Sequence, residues 1–205
     1  MNPPITGVGT PVSASSQTTL EAPMRQKITT LLGPTSLFVL MAALGTGCDL
    51  QTKTWAEDRL SQVAGRSISL FEPWLDMALS YNRGTSFSFF ADLGDTLTFF
   101  GIFSFLMAAV IFAWVLFSKV GRLDALALGA IAAGAIGNGY DRIFRHAPGG
   151  GTGVVDFIKV NYPWGGSWPT FNVADMLIFC GVAVYAVSFI LQIRRQTPPL
   201  QPTPD

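Results

Sequence analysis

The chain has 205 residues, of which 49% are hydrophobic and only 13% charged, about half the charged share of an ordinary soluble domain; with a mean hydropathy of +0.40 it reads as an integral membrane protein. The 13 Lys and Arg balance 13 Asp and Glu, so there is no electrostatic basis for binding nucleic acid. Two cysteines and one histidine are too few for a structural zinc site or a disulfide framework, and no HExxH, P-loop, GxSxG or Rossmann fingerprint is present.

In chain order, residues 1–30 are rich in Pro, Ser, Thr and Gly, above all over 1–23, and are expected to form a disordered cytoplasmic tail. Residues 31–195 form the expected membrane domain. Residues 196–205, which include TPPLQPTPD, form a second tail. Four apolar segments lie between the tails, each near the roughly 20 residues that a spanning helix needs. The first covers 35–50, with Leu31 as its earliest start and Pro34 suited to open a helix. The second is 96–117, the third 124–140 and the fourth 174–193. The fold class expected is therefore membrane α-helical, with four transmembrane helices.

Lys and Arg in short flanks set orientation. Arg25 and Lys27 precede the first span, Lys119 and Arg122 sit between the second and third, and Arg194 and Arg195 follow the fourth. With four spans all of these share one face. Both termini are then cytoplasmic, and the segments 51–95 and 141–173 face outward. The outer stretch SISLFEPWLDMALSYNRGTSFSFF, residues 67–90, holds β-prone pieces around a Pro and a Gly, which predicts a small hairpin or curved sheet on the membrane surface. In the third span, Gly129 with Ala133, Ala130 with Gly134, and Ala133 with Gly137 place small residues four apart, a packing face for neighbouring helices.

Ionisable groups in or beside spans are costly and are functional candidates by default. Here they gather at the outer face. Asp49 and Lys53 close the first span; Asn138, Asp141 and Arg142 close the third; Asp175 opens the fourth, and Asp156 lies just before it. Asp49 and Lys53, four apart, could be a plain ion pair. Asn172 and Asp175 could be only a helix cap. Asp141 is harder to dismiss, because a carboxylate at a helix C-terminus opposes the dipole and needs a cation, Arg142 or Lys53. Asp156 sits in VVDFIKV, apolar on both sides, where desolvation should raise its pKa. Two carboxylates at a water-poor boundary can share a proton, one taking a proton from water and the other polarising a peptide carbonyl. That scheme needs neither metal nor cofactor. Spacing alone does not say which aspartates pair.

The blocks DLQTK (49–53), NRGTSF (82–87), GNGYDR (137–142), VVDFI (154–158) and FNVAD (171–175) together resemble those of lipoprotein signal peptidase (signal peptidase II), a four-helix aspartic protease of the bacterial inner membrane. The resemblance covers roughly residues 30–195, with all blocks in order. It implies a catalytic dyad of Asp156 and Asp175. The supporting or substrate-binding positions it implies are Asp49, Lys53, Asn82, Gly84, Asn138, Asp141, Arg142 and Asn172. Asn82 and Asn172 would orient a carboxylate or bind substrate backbone, and Arg142 would hold Asp141 and the dyad loop. It also implies a small extracytoplasmic β-cradle over 67–90, with a short surface helix nearby.

The implied substrate is a prolipoprotein carrying diacylglycerol on its lipobox cysteine, cut just before that cysteine while the lipid stays in the bilayer. The expected partners are this substrate and membrane lipid, and the expected state is a monomer. Three features depart from the family pattern: Thr85 and Ser86 replace the usual alanines, the stretch 143–153 (IFRHAPGGGTG) is long and glycine-rich, and the N-terminal tail is long. They leave room for a specialised paralogue with restricted substrates. A small proton-coupled transporter is the alternative class, disfavoured because the ionisable groups cluster at one face and no internal repeat is visible. A scaffold without chemistry would leave the Asn, Asp and Arg grouping unexplained. LGTGC (44–48) looks like a lipidation signal, but Gly45 stands where a lipobox has Leu. Cys48 is therefore expected to belong to a retained helix end.

Overall fold

The computed structural model describes residues 33–84 and 96–196. The expected N-terminal tail, all of the C-terminal tail but Gln196, and residues 85–90 of the outer segment, with Thr85 and Ser86, lie outside the described residues. The elements are α1 (Pro34–Leu60), a 3-10 turn (Ala64–Arg66), β1 (Ser67–Phe71), β2 (Leu75–Asn82), α2 (Thr96–Phe117), α3 (Arg122–Phe144), β3 (Val154–Val160) and α4 (Val173–Gln196).

The four apolar segments all become helices, and α2 has the expected bounds. The others extend further. α1 runs on to Leu60, well past the expected end at Leu50, and α3 reaches Phe144. The apolar signal fades at Asp49 and at Asp141, but neither place carries a helix breaker, and the charges there are neutralised by partners inside the fold. Asp49, Lys53 and Cys48 consequently lie within α1 and not at its end; Cys48 is exposed.

α3 is the central helix and packs against α1, α2 and α4. Its small residues permit this. Gly129, Ala130, Ala133, Gly134 and Gly137 are all buried. A Cβ at Gly134 would overlap the carbonyl oxygen of Ala174 on α4, so only glycine lets the two backbones meet there. Between α1, α2 and α3 lies an apolar core of Phe38, Ala108, Val115, Ala125, Leu128 and Ala132, with Phe38 stacked on Phe112 at 5.5 Å.

The three strands form one antiparallel sheet in the order β1-β2-β3. The expected hairpin is β1-β2; β3 joins from the VVDFI block. Ser80 pairs with Asp156, Tyr81 with Val155 and Asn82 with Val154, after a bulge between Met77 and Ser80. The second half of α1 lies beneath the sheet: Ala56 and Leu60 pack with Val155 and Phe157, joined by Met77, Leu79 and Tyr81. Burying Leu60 and Val155 completely stabilises the fold by roughly 1.5–3 kcal/mol each. This contact fixes β3, and with it Asp156, over the bundle.

The helix surfaces are inverted relative to a soluble protein. Phe99, Phe117 and Phe179 are 64%, 88% and 75% exposed, an apolar exterior suited to lipid. Among the described residues, Thr96–Phe117 and Val173–Arg195 are long and apolar enough to cross a membrane.

Candidate active site

The site forms where the middle of α1, the C-terminal turns of α3, β3 and the N-terminus of α4 converge. Its hub is Lys53, which is fully buried. Its ammonium lies 2.8 Å from Asp49 Oδ2 and 3.0 Å from Asp141 Oδ2, and it donates to Asn138 Oδ1 at 2.8 Å. Two carboxylates and an amide oxygen thus surround its ammonium. Asp49 pairs with Lys53 one helical turn on, so the plain ion-pair reading is correct as far as it goes. Yet Asp49 Oδ1 also accepts the Ala174 N–H at 2.8 Å, in the first turn of α4, where the helix dipole favours an anion. Gly137 makes the room: a Cβ there would overlap the Asp49 carboxylate.

Asp141 has the cation that its place near the end of α3 demands, and a second one. Lys53 holds Oδ2, and Arg145 Nε donates to Oδ1 at 2.7 Å. Oδ2 also accepts the Val155 N–H at 3.3 Å, next to Asp156. Arg145 thus takes the partner role expected of Arg142. The half-buried Arg142 interacts electrostatically with Asp175 first, then with Asp156 and Asp141, and its carbonyl accepts the Thr152 hydroxyl at 2.7 Å.

Asn172 caps α4. Its Oδ1 accepts the Asp175 N–H, and Asp175 Oδ2 accepts the Asn172 N–H, both at 3.1 Å, which is a reciprocal capping box. The cap reading therefore holds, and the same residue does more. Asn172 Nδ2 donates to Asp156 Oδ1 at 2.6 Å, with Asn138 Oδ1 and Val155 O at 3.2 and 3.3 Å. Asn138 Nδ2 donates to Asp175 Oδ1 at 2.8 Å. Two asparagines therefore tie Asp156 and Asp175 into one hydrogen-bonded group.

Asp156 is almost completely buried. Burial, and then the charge of Asp175, push its carboxyl up to about 7, against the opposing effect of hydrogen bonds from Asn172 and Asn82 and of Lys53. Asn82 ends β2, and its Oδ1 accepts the Gly84 N–H at 3.0 Å. Gly84 has φ +70°, which favours glycine. The turn aims Asn82 at Asp156. A carboxyl that keeps its proton near neutral pH, beside a second carboxylate, can serve with it as an acid–base pair.

Asp175 is half-buried and stands at the edge of a groove of about 430 Å³ lined by Trp168, Phe171, Met176, Phe179 and Cys180. Among the described residues, no three His, Cys, Asp or Glu side chains converge so as to hold a metal ion. Of the stretch 143–153, Ile143 and Phe144 end α3 and residues 145–153 form a tight loop, with Gly149, Gly150 and Gly151 all at positive φ. Arg83, next to Asn82, hydrogen-bonds its Pro148 carbonyl.

The sequence reading missed Arg145, Glu57 and Tyr81. Arg145 Nη1 meets Glu57 Oε2 at 2.9 Å, and the Tyr81 hydroxyl donates to Glu57 Oε1. The signal was there: Arg145 is four residues after Asp141, and Glu57 four after Lys53. Both fell beyond the expected helix ends.

A family model described as Signal peptidase (SPase) II matches residues 41–191. The chain belongs to the signal peptidase II family. Lipoprotein signal peptidase of Clostridium novyi is 32% identical over 154 residues, covering 75% of this chain and 97% of that protein. The lipoprotein signal peptidase of Clostridium acetobutylicum is 29% identical, covering 75% and 94%. A bacterial membrane enzyme solved by the in meso method at 1.9 Å resolution superimposes with a TM-score of 0.62 at 25% identity, covering 75% of this chain and 92% of that one. A second, at 2.3 Å, has a TM-score of 0.63 at 23% identity, and it shares the fold. This signal peptidase II relative is thus a peptidase by family, and the match spans every element that builds the site.

Proposed function

We propose that the chain removes the signal peptide from diacylglyceryl-modified prolipoproteins, cutting just before the lipidated cysteine, with Asp156 and Asp175 as its catalytic dyad. The observation that carries this is the joint tethering of the two aspartates by Asn172 and Asn138 beside the apolar groove of α4. The pair shares one proton, with Asp156 as its favoured seat, because burial and the Asp175 charge both disfavour a second anion there. The ionised member takes a proton from water as its oxygen attacks the scissile carbonyl carbon. The protonated member donates to the carbonyl oxygen. Collapse breaks the C–N bond: the proton gained from water passes to the leaving amine, and the diol hydroxyl returns its proton to the other aspartate as the new carboxyl forms, so the dyad returns to its starting state. The lipid chains would lie along the groove at Trp168, Phe171, Met176 and Phe179.

In this reading α1 to α4 all span the membrane within a domain of residues 31–195, both termini are cytoplasmic, and the site opens at the outer face. The fold offers support. α1 and α3 are less apolar than α2 and α4 because they carry the charges of the site, and those charges are paired inward. At one end of the sheet Phe71, Trp74, Trp164 and Trp168 are exposed, and such aromatic residues favour the membrane–water interface. The protein would act as a monomer.

The deciding experiment is cleavage of a diacylglyceryl-modified prolipoprotein by purified wild-type, Asp156→Asn and Asp175→Asn proteins in detergent with a chelator present. Cleavage by the wild type alone is expected. Activity retained by either variant would remove that residue from the dyad.

A further inference from the structure

Arg145 lies outside the five motif blocks and outside the cleavage scheme, yet it stands at a junction of four segments. It is one residue past α3, and its N–H bonds the Asp141 carbonyl at 3.1 Å. Nε holds Asp141 Oδ1 at 2.7 Å, Nη1 holds Glu57 Oε2 at 2.9 Å, and Nη2 reaches Thr54 Oγ1 at 3.4 Å. Its own carbonyl accepts the Gly153 N–H at 3.1 Å, which closes the loop leading into β3. Glu57 in turn accepts the Tyr81 hydroxyl, and Tyr81 pairs with Val155 across the sheet.

We infer that Arg145 is a positioning residue for this site: it holds the Asp141 carboxylate from the side opposite Lys53, and through Asp141 it fixes the Val155 amide and the setting of Asp156. The role rests on the peptidase reading above. Charge balance requires such a group. Asp49 and Asp141 are both fully buried, and Lys53 alone cannot compensate two carboxylates, because a buried charge without a partner is strongly destabilising. Without Arg145, Asp141 must take up a proton or draw Lys53 away from Asp49. Either change disturbs the oxygen that accepts the Val155 N–H, one residue before Asp156. The guanidinium suits the place because its planar fork can serve carboxylates on two helices at once, whereas an ammonium is a point charge with no such fork.

The test uses the full chain in detergent, with Arg145→Gln, Arg145→Lys and Glu57→Gln beside the wild type. One readout is kcat and KM on a diacylglyceryl-modified prolipoprotein; the other is amide hydrogen exchange over residues 154–158. Arg145→Gln is expected to lower kcat roughly 10- to 100-fold, as small misplacements of a reacting group do, with KM changed by less than about twofold and exchange over 154–158 faster. Arg145→Lys should recover part of both, and should carry the test if the Gln variant does not fold. Wild-type exchange in Arg145→Gln, or a lowered melting temperature with kcat unchanged, would overturn the inference, as would wild-type kcat and exchange in both Arg145→Lys and Glu57→Gln. An inactive wild-type protein would instead sink the cleavage reading, and exchange would still decide whether Arg145 holds the strand.

Discussion

Asn172 joins the two candidate aspartates through opposite ends of one amide: its Nδ2 donates to Asp156 Oδ1 at 2.6 Å while its Oδ1 accepts the Asp175 N–H at 3.1 Å. A residue that caps a helix is normally replaceable by another cap. This one is not, because a serine at the same place would keep the cap and lose the bridge. Both Asn172→Ser and Asn172→Ala lose the buried Nδ2 bonds, but the serine keeps the cap, so Asn172→Ser is expected to be about 1 kcal/mol more stable than Asn172→Ala. Both should lose roughly 10- to 100-fold in kcat, since Asp156 is no longer held. Melting temperatures and kcat, measured on the two variants together, separate the functions. Equal activity of Asn172→Ser and wild type would show that the cap alone matters.

Lys53 is the most exacting position for stability. Replacing it with Met takes from buried Asp49 the cation it pairs with among the described residues, leaves Asp141 ion-paired with Arg145, and removes a donor to Asn138. The expected cost is about 3–5 kcal/mol, the scale for breaking a buried ion pair from one side. Adding Asp49→Asn to Lys53→Met should recover part of it by removing the orphaned charge. Denaturation of the single and double variants checks this. A double variant less stable than the single would contradict the charge argument.

Much of this was legible in the sequence, and the reason is physical. Charges beside lipid are so costly that Asp49, Lys53, Asp141, Asp156 and Asp175 stand out against an apolar background, and the structure gathers them with Asn82, Asn138 and Asn172. The helices were legible for the same reason, since each needs a long apolar stretch. Their ends were not. Hydropathy stops at the first charge, but α1 passes through Asp49 and Lys53 because those charges are satisfied within the fold. Arg145 and Glu57 were lost with those ends. The partner of Asp141 was misread in part for a related reason: adjacent residues on a helix point some 100° apart, so Arg145, one turn on, is better placed than Arg142 to bond the carboxylate.

The raised pKa of Asp156 has two consequences for pH. Its carboxyl titrates near 7 in the folded protein and near 4 when unfolded. Between those values the folded state binds the extra proton, so this group's contribution to stability is fully present below about pH 4 and is lost as pH rises through about 7. Asp156→Asn should therefore flatten the stability profile in that window and be relatively more stable than wild type at pH 7 than at pH 4. If Asp156 and Asp175 form the proposed dyad, cleavage by the wild type should decline above about pH 7, as Asp156 loses its proton. Thermal melts and kcat/KM across pH 4 to 9 test both. A melting profile of Asp156→Asn parallel to wild type would contradict the shift.

Two glycines of the chain make a matched pair for testing how tightly α1 and α3 must pack. A Cβ at Gly137 would overlap the Asp49 carboxylate, whereas a Cβ at Gly47, on α1, meets nothing within 4 Å. Gly47→Ala should be neutral or should stabilise by up to about 1 kcal/mol, the gain in helix propensity. Gly137→Ala adds the same propensity but must displace Asp49 from between Lys53 and the Ala174 N–H. Overpacking costs typically 1–3 kcal/mol, and the shift of a buried charge adds to it. The variant should be both less stable and less active, because the Lys53 group and the start of α4 move with Asp49. Combining Gly137→Ala with Asp49→Ala opens space for the new methyl group, so part of the packing loss should return while activity should not. Melting temperature and cleavage rate of the four proteins decide the matter: a Gly137→Ala protein as stable as Gly47→Ala would mean that α1 and α3 can part without disturbing the site.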